Sequence, residues 1–318
     1  MPLIVVLAVA AIAGVLPLAT ALPQDTEQPR SVRMEIRARV LDRDGRFVSD
    51  LTKDEVVVID DGALLPLQDL ALVGGGAATG EGRRGVRALP RRPHTWVLVF
   101  DLDGMDAGAR ARARTGVERF VSQRLPPGDS AAAPLDGERL GSGTAMPPGD
   151  LVRLLTQAEG MPSSSSRAAP EGPYLFDALE RLATTLAATS GPKVVVLLSE
   201  GLKLTLEEVH ASRHVMRRVA DRLRAADATL YGIDTRGVAG PADAGMATLA
   251  ADTGGLTIFN VNAVERALEE VAGDTREYYV CAYLRPPGAA AAGFREILIW
   301  AKRPGVTVRA PAGYLVER

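Results

Sequence analysis

The sequence predicts an α/β fold: a doubly wound, mostly parallel sheet, flanked by a β-domain that both chain ends build. Three observations carry that expectation. Between Trp96 and Ala272, short apolar runs alternate with amphipathic helical patterns, as strands buried on both faces and crossed over by helices require. Before them, Val32 to Val40 alternates strictly between apolar and charged residues, the mark of a strand with one buried face. After Arg276 the chain returns to short strands separated by Pro-Gly turns.

Composition bounds the class. A chain of 318 residues has room for about two domains. Hydrophobic residues make up 47% and aromatics only 4%, so the core is built from Val, Leu, Ile and Ala. A formal net charge of -2 argues against a dedicated nucleic-acid binder. The first 22 residues carry no charged side chain; Leu3 to Leu18 is nearly all apolar, and Ala19-Thr20-Ala21 fits small-x-small cleavage. Residues 1–21 therefore read as a signal peptide, although no Lys or Arg precedes the apolar run. The competing reading is an uncleaved anchor, because the run approaches the ~20 residues that span a bilayer. Pro17 and the cleavage site favour export, to the periplasm, the cell envelope or the medium, with membrane contact only if the segment stays uncleaved. The one cysteine, Cys281, excludes an intramolecular disulfide and a Cys-based zinc site; it reads as a small buried hydrophobe in a strand.

In order, Val32–Val40, Val56–Ile59 and Leu67–Val73 form an N-terminal β unit (31–73), with turns at Asp42-Arg43-Asp44-Gly45 and Asp60-Asp61-Gly62. Residues 74–93, rich in Gly, Ala and Arg, read as a linker. The α/β domain (94–275) follows. Its strands are Trp96–Phe100, Ser130–Leu135, Lys193–Leu198, Thr229–Ile233 and Leu256–Phe259. Its helices are Ala109–Leu125, a short one capped by Asp150, Tyr174–Thr189, one long helix Leu206–Ala226, Met246–Ala251 and Ala263–Ala272. Tyr278–Leu284, Phe294–Lys302 and Val306–Arg309 form a C-terminal β unit (276–318). The terminal strands are expected to pack together as one β-domain.

The order of these parts is informative. Leu41-Asp42-Arg43-Asp44-Gly45-Arg46-Phe47-Val48 and Leu51-Thr52-Lys53-Asp54-Glu55 precede an α/β domain that begins Val97-Leu98-Val99-Phe100-Asp101. Tyr278-Tyr279-Val280, a hairpin and Val308-Arg309-Ala310-Pro311-Ala312-Gly313-Tyr314 close it. From Ser31 to Tyr314 the chain resembles the bacterial VWFA-related domain family, of von Willebrand factor A type. The resemblance implies a Rossmann-like sheet whose strand C-termini carry a metal-ion-dependent adhesion site: Asp-x-Ser-x-Ser on one loop, Thr on a second and Asp on a third, holding Mg²⁺. Here Asp101 matches. Asp103 and Met105 replace the serines, Pro173 stands where the Thr belongs, and Glu200 replaces the last Asp. The site is degenerate, and Asp101, Asp103 and Glu200 are the residues that could still converge on a cation. The resemblance implies an exported, non-catalytic module that binds another protein, with no organic cofactor and Mg²⁺ as the one candidate ion.

An enzyme reading shares these residues. Val97–Gly104 also resembles the first motif of haloacid dehalogenase-like phosphatases, with Asp101 as nucleophile, Asp103 as general acid/base, Ser199 at a strand end and Lys203 beside the phosphate. That chemistry needs a late acidic pair for Mg²⁺. Asp234-Thr235-Arg236-Gly237 and Asp252 do not supply one, and the terminal β units have no place in it.

Other features carry less. His210 and His214 share an i, i+4 spacing that can bind metal, but no third ligand matches it, and the Arg-rich surface around them reads as solvated. His94 reads as the end of the linker. No nucleophile elbow, P-loop or dinucleotide fingerprint is present. The arginines of the linker (Arg83, Arg84, Arg87, Arg91, Arg92) read as a solvated basic segment.

Overall fold

A computed structural model describes residues 31–74, 85–102, 104–133, 171–237, 243–285 and 292–316. The segment 1–21 read as a signal peptide, Asp103, the stretch read as a short helix capped by Asp150 and the Arg83-Arg84 part of the segment read as a linker lie outside the described residues. The chain is a mixed α/β protein with one parallel sheet and two largely antiparallel ones.

The parallel sheet contains β6 (Thr95–Phe100), β7 (Ser130–Ala132), β8 (Lys193–Ser199), β9 (Ala228–Asp234) and β10 (Thr257–Ile258), in the order β10-β9-β8-β6-β7. Every pairing in it is parallel. Its helices are α1 (Ala107–Gln123), α2 (Glu171–Ala187), α3 (Leu206–Ala211), α4 (Arg213–Ala225), α5 (Ala244–Asp252) and α6 (Val264–Asp274). All seven residues of β8 are buried, and its five apolar residues alternate between two cores. Val194, Val196 and Leu198 pack with Trp96, Leu98 and the apolar faces of α1 and α6. Val195 and Leu197 pack with Val97 and the faces of α2, α4 and α5. A run without polar alternation is what covering both faces demands.

The other two sheets form the β-domain. One has the order β13-β1-β11-β4-β5 and the other β14-β12-β2-β3. Their strands are β1 (Val32–Leu41), β2 (Val56–Asp60), β3 (Ala63–Leu65), β4 (Leu67–Val73), β5 (Val86–Leu89), β11 (Tyr278–Arg285), β12 (Gly293–Ala301), β13 (Thr307–Arg309) and β14 (Gly313–Val316). The two ends of the chain interleave: β11 lies between β1 and β4, and β12 pairs with β2. Ile36, Ala38, Val40, Val58, Leu70, Tyr279, Cys281, Tyr283, Ile297 and Ile299 share one core. Burial pushes the Cys281 thiol up to about 12, so it is an inert hydrophobe.

Four local features differ from the sequence reading. The stretch read as a linker contains β5, which pairs parallel with β4 through Leu70 and Val86; four residues are too few to show a period. The short strands β3 and β14 are also present. The long helix is broken at Ser212 (φ -86, ψ 0), whose amide closes α3 on Glu208 while its carbonyl accepts from Met216 and opens α4. Finally, α2 includes Glu171 to Pro173, which the reading placed on a loop. His94, read as the end of the linker, directly precedes β6 and is buried. No helix among the described residues is long and apolar enough to cross a membrane.

The β-domain docks at the N-terminal edge of the parallel strands. Arg39 Nε lies 2.9 Å from Asp274 Oδ1 at the end of α6, Arg309 binds the same carboxylate, and Tyr231 donates to it at 2.9 Å. The Leu315 amide donates to Asp221 at 3.0 Å, and the Arg217 guanidinium stacks 4.0 Å over Phe294.

Two glycines test the packing in opposite directions. A Cβ on Gly116 of α1 would lie 2.6 Å from Val264 Cβ and 2.9 Å from the Glu265 amide, so Gly116→Ala is expected to destabilise by ~1–3 kcal/mol despite its better helix propensity. A Cβ on Gly273 of α6 meets nothing within 4 Å, so Gly273→Ala is expected to stabilise by ~0.4–1 kcal/mol. Urea unfolding of both variants measures the two signs.

Acid titration tests the turn that joins the chain ends. Arg303 donates to both Glu55 oxygens at 2.9 Å and the Thr52 amide donates at 2.8 Å. These bonds, Arg303 first, draw the Glu55 carboxyl down to about 2. The folded value lies below the unfolded ~4.3, so the stabilisation is complete above that value and disappears as pH falls toward 2. Glu55→Gln is expected to lower stability at pH 7 and to flatten its fall between pH 4.5 and pH 2 in urea unfolding.

Candidate functional site

β6 and β8 run parallel and in register, with Phe100 opposite Leu198. Both strands therefore release the chain at the same end of the sheet. Numbered within the sheet, the strand order is 5-4-3-1-2, so the direction of winding reverses between β6 and β8. Open α/β sheets bind ligands outside the strand C-termini at such a reversal.

Asp101 and Ser199 meet there. The Asp101 amide donates to the Leu198 carbonyl at 3.0 Å, continuing the ladder by one residue. Ser199 is fully buried and its Oγ donates to Asp101 Oδ2 at 2.7 Å, while accepting from the Gly201 amide at 3.0 Å. The Gly104 amide donates to Asp101 Oδ1 at 3.2 Å. A Cβ at Gly104 would fall 2.2 Å from Asp101 Oδ2, so only glycine allows the loop to fold back on this carboxylate.

Glu200 follows on the neighbouring loop. Its Oε1 accepts from the Asp106 amide at 3.0 Å, and Asp106 in turn caps α1 through the Ala109 amide at 2.6 Å. Arg110 clamps the same loop from α1, donating to the carbonyls of Met105 and Leu102. From β9, Asp234 pairs with Arg236 at 2.6 Å. Hydrogen bonds to Asp234 first, with attraction from Asp243 and Glu200, hold the Arg236 guanidinium above its usual range despite partial burial. Asp243 caps α5 through the Met246 amide at 2.7 Å and accepts from the Lys203 amide at 3.2 Å. Thr235 completes the end of β9: its amide donates to Ser199, its carbonyl accepts from Arg112, and its buried hydroxyl has no partner.

Of the residues expected to form a cation site, Asp101 and Glu200 stand on adjacent loops, and Asp103 lies outside the described residues. Pro173 falls in the first turn of α2. Met105, at the second serine position of the adhesion pattern, packs into the core with Leu98 and Ala109. The described donors fit Mg²⁺ poorly: Asp101 already accepts at both oxygens, Glu200 accepts from a backbone amide, and a guanidinium lies in the field of Glu200. Among the described residues no group of three or more His, Cys, Asp or Glu is placed to hold a metal. His210 and His214 are exposed and belong to different helices. Asp252 is held by Arg213 at 2.7 Å.

Sequence reading missed Asp243 as part of this end of the sheet, and weighed Thr235 and Arg236 only within Asp234-Thr235-Arg236-Gly237 as a failed acidic pair. Asp243 had a signal, an N-cap residue ahead of an apolar helix. The other two became visible only when β9 was set beside β8. Compared with known proteins, the chain matches no protein-family model, and no curated protein sequence matches it.

A double-mutant cycle measures the central contact. Ser199→Ala is expected to cost ~1–3 kcal/mol, because it removes a buried hydrogen bond to a carboxylate. Combined with Asp101→Asn, it is expected to show a coupling of ~0.5–3 kcal/mol in urea unfolding. Additive losses would mean that the two side chains do not interact.

Proposed function

We propose that the protein is an exported, non-catalytic interaction module of von Willebrand factor A type that contacts a partner protein through the loops at the C-terminal ends of β6, β8 and β9. One observation carries the proposal: Asp101, Ser199 and Glu200 gather at the strand-order reversal, at the opposite end of the sheet from the docked β-domain. Support also comes from the order of parts, a parallel sheet with helices on both faces inserted between interleaved β units. The surface is metal-independent. A guanidinium, Arg236, supplies positive charge beside Glu200 and Asp243, where the adhesion pattern would place a cation. Polar loops with such half-buried charges suit recognition of a charged partner surface.

A second reading uses the same pair. A phosphatase of the haloacid dehalogenase type would attack with Asp101, which sits at the end of β6 with the Ser199 hydroxyl 2.7 Å away. Hydrogen bonds to both Asp101 oxygens weaken it as a nucleophile, which favours the binding reading.

Calorimetric titration with Mg²⁺ and Mn²⁺, beside an Asp101→Ala variant and with phosphatase assays on the same samples, separates the readings. The expected result is no saturable metal binding and no turnover. Metal binding that Asp101→Ala abolishes, without turnover, would restore an adhesion-type metal site and a carboxylate-bearing partner. Turnover dependent on Asp101 would replace the module with the phosphatase.

A further inference from the structure

We propose that the seam between the β-domain and the parallel sheet holds a small oxyanion of the phosphate or sulfate class. A cavity of about 50 Å³ lies there. One water needs ~10–15 Å³ by the same measure, so the space fits a few waters or one tetrahedral anion. A nucleotide base would not fit.

The charge of the walls selects the occupant. Arg37 and Arg39 come from β1, Arg309 from β13 and Lys193 from the start of β8. Asp274 serves both Arg39 and Arg309, and Asp227 serves Arg37. Four cations therefore face two carboxylates, an excess of two positive charges. Lys193 is 2% exposed, and its ammonium donates to the carbonyls of Thr189 and Ala226 at 2.5 and 2.7 Å. An uncompensated buried charge is costly. A neutral ligand would leave that excess in place, and a cation would add to it. An oxyanion removes it while accepting from guanidinium forks and an ammonium together.

A second observation points the same way. His94 lines the cavity, is 3% exposed, and its buried Nδ1 has no hydrogen-bond partner. Arg39 Nε, although 2.9 Å from Asp274 Oδ1, lacks the alignment of a hydrogen bond and is otherwise unpartnered. Buried polar groups are almost always satisfied. Two that are not, on the wall of one positively charged cavity, mark a place for an acceptor. Burial first, and then the Arg91 charge, push the His94 imidazole down to about 4. It is therefore neutral at pH 7, and an oxyanion accepting from Nδ1 selects the tautomer with its one N–H there.

The test is calorimetric titration of the full chain with inorganic phosphate and with sulfate, against chloride at constant ionic strength. One saturable site is expected, with a rise in the thermal midpoint that chloride does not reproduce. Lys193→Met is expected to weaken binding at least ~10-fold, the loss of one hydrogen bond to a charged group. Asp101→Ala, at the other end of the sheet, is expected to leave it unchanged. Should Lys193→Met fail to fold, ¹⁵N-histidine spectra of the wild type decide: phosphate is expected to shift the His94 ring signals and not those of His210 or His214. Absence of both heat and a His94 shift would overturn the proposal. So would full binding by folded Lys193→Met, or loss of binding in folded Asp101→Ala.

Discussion

The architecture depends on one carboxylate. In the β1–β13 pair, Arg39 and Arg309 stand directly opposite each other, and like charges at that spacing destabilise a sheet. Asp274 is the last residue of α6, where the negative end of the helix dipole disfavours an acid. Each arrangement is poor alone. Brought together, both guanidiniums reach the Asp274 carboxylate and Tyr231 donates to it from β9. The β-domain and the parallel sheet thus each supply the charge that the other lacks. Their contact is part of the stability of both, beyond a tether between independent units.

The same device recurs with different partners. Asp129 has a fully buried side chain and accepts from Arg91, the His94 amide and Trp96 Nε1. Burial alone would raise its carboxyl, yet these bonds hold it below the usual range; they fix the point where the chain enters β6. Asp60, fully buried in the β-domain, accepts from Tyr283, Tyr314 and Arg295. With aromatics at 4%, the interior is mostly small aliphatic side chains. Tyr231, Tyr283, Tyr314 and the buried Trp96 are tied by their polar ends to aspartates, which gives direction to a core that hydrophobic packing alone specifies less sharply.

What the sequence revealed follows from what local pattern can encode. β8 was legible because the unbroken apolar run Val194 to Leu198 reads as a strand covered on both faces in a domain of alternating helices. β1 was legible because Arg33, Glu35, Arg37 and Arg39 alternate with apolar residues. β5 was hidden because its four residues acquire a partner only when β4 lies beside them. The break at Ser212 was hidden because Val209, Met216, Val219 and Leu223 keep a helical spacing across it; all four are buried against the same core, so apolar periodicity does not record where hydrogen bonding is interrupted. At the candidate site, Asp101 and Glu200 were legible as strand-terminal acids. The bond from Ser199 to Asp101 was not, since it arises from the parallel register of β6 and β8, residues 98 apart in sequence.

The two ends of the parallel sheet use the same groups in different ways. At the β-domain seam, Arg39 and Arg309 share the Asp274 carboxylate, which also accepts from Tyr231; removing one partner strands the others, so this end suits permanent structure. At the strand C-termini, Asp101, Glu200, Arg236 and Asp243 remain half-buried. Pairs that keep contact with water have small net energies, and a partner's charges can replace them at little cost. The described parts of the loops beneath are tied by local hydrogen bonds, from the Gly104 amide to Asp101, from the Asp106 amide to Glu200 and from Arg110 to two carbonyls. In the proposed binding role, exchangeable charges on such a backbone limit the entropy lost on binding. In that proposed role, docking at the opposite end of the sheet sets the orientation of the partner relative to the β-domain.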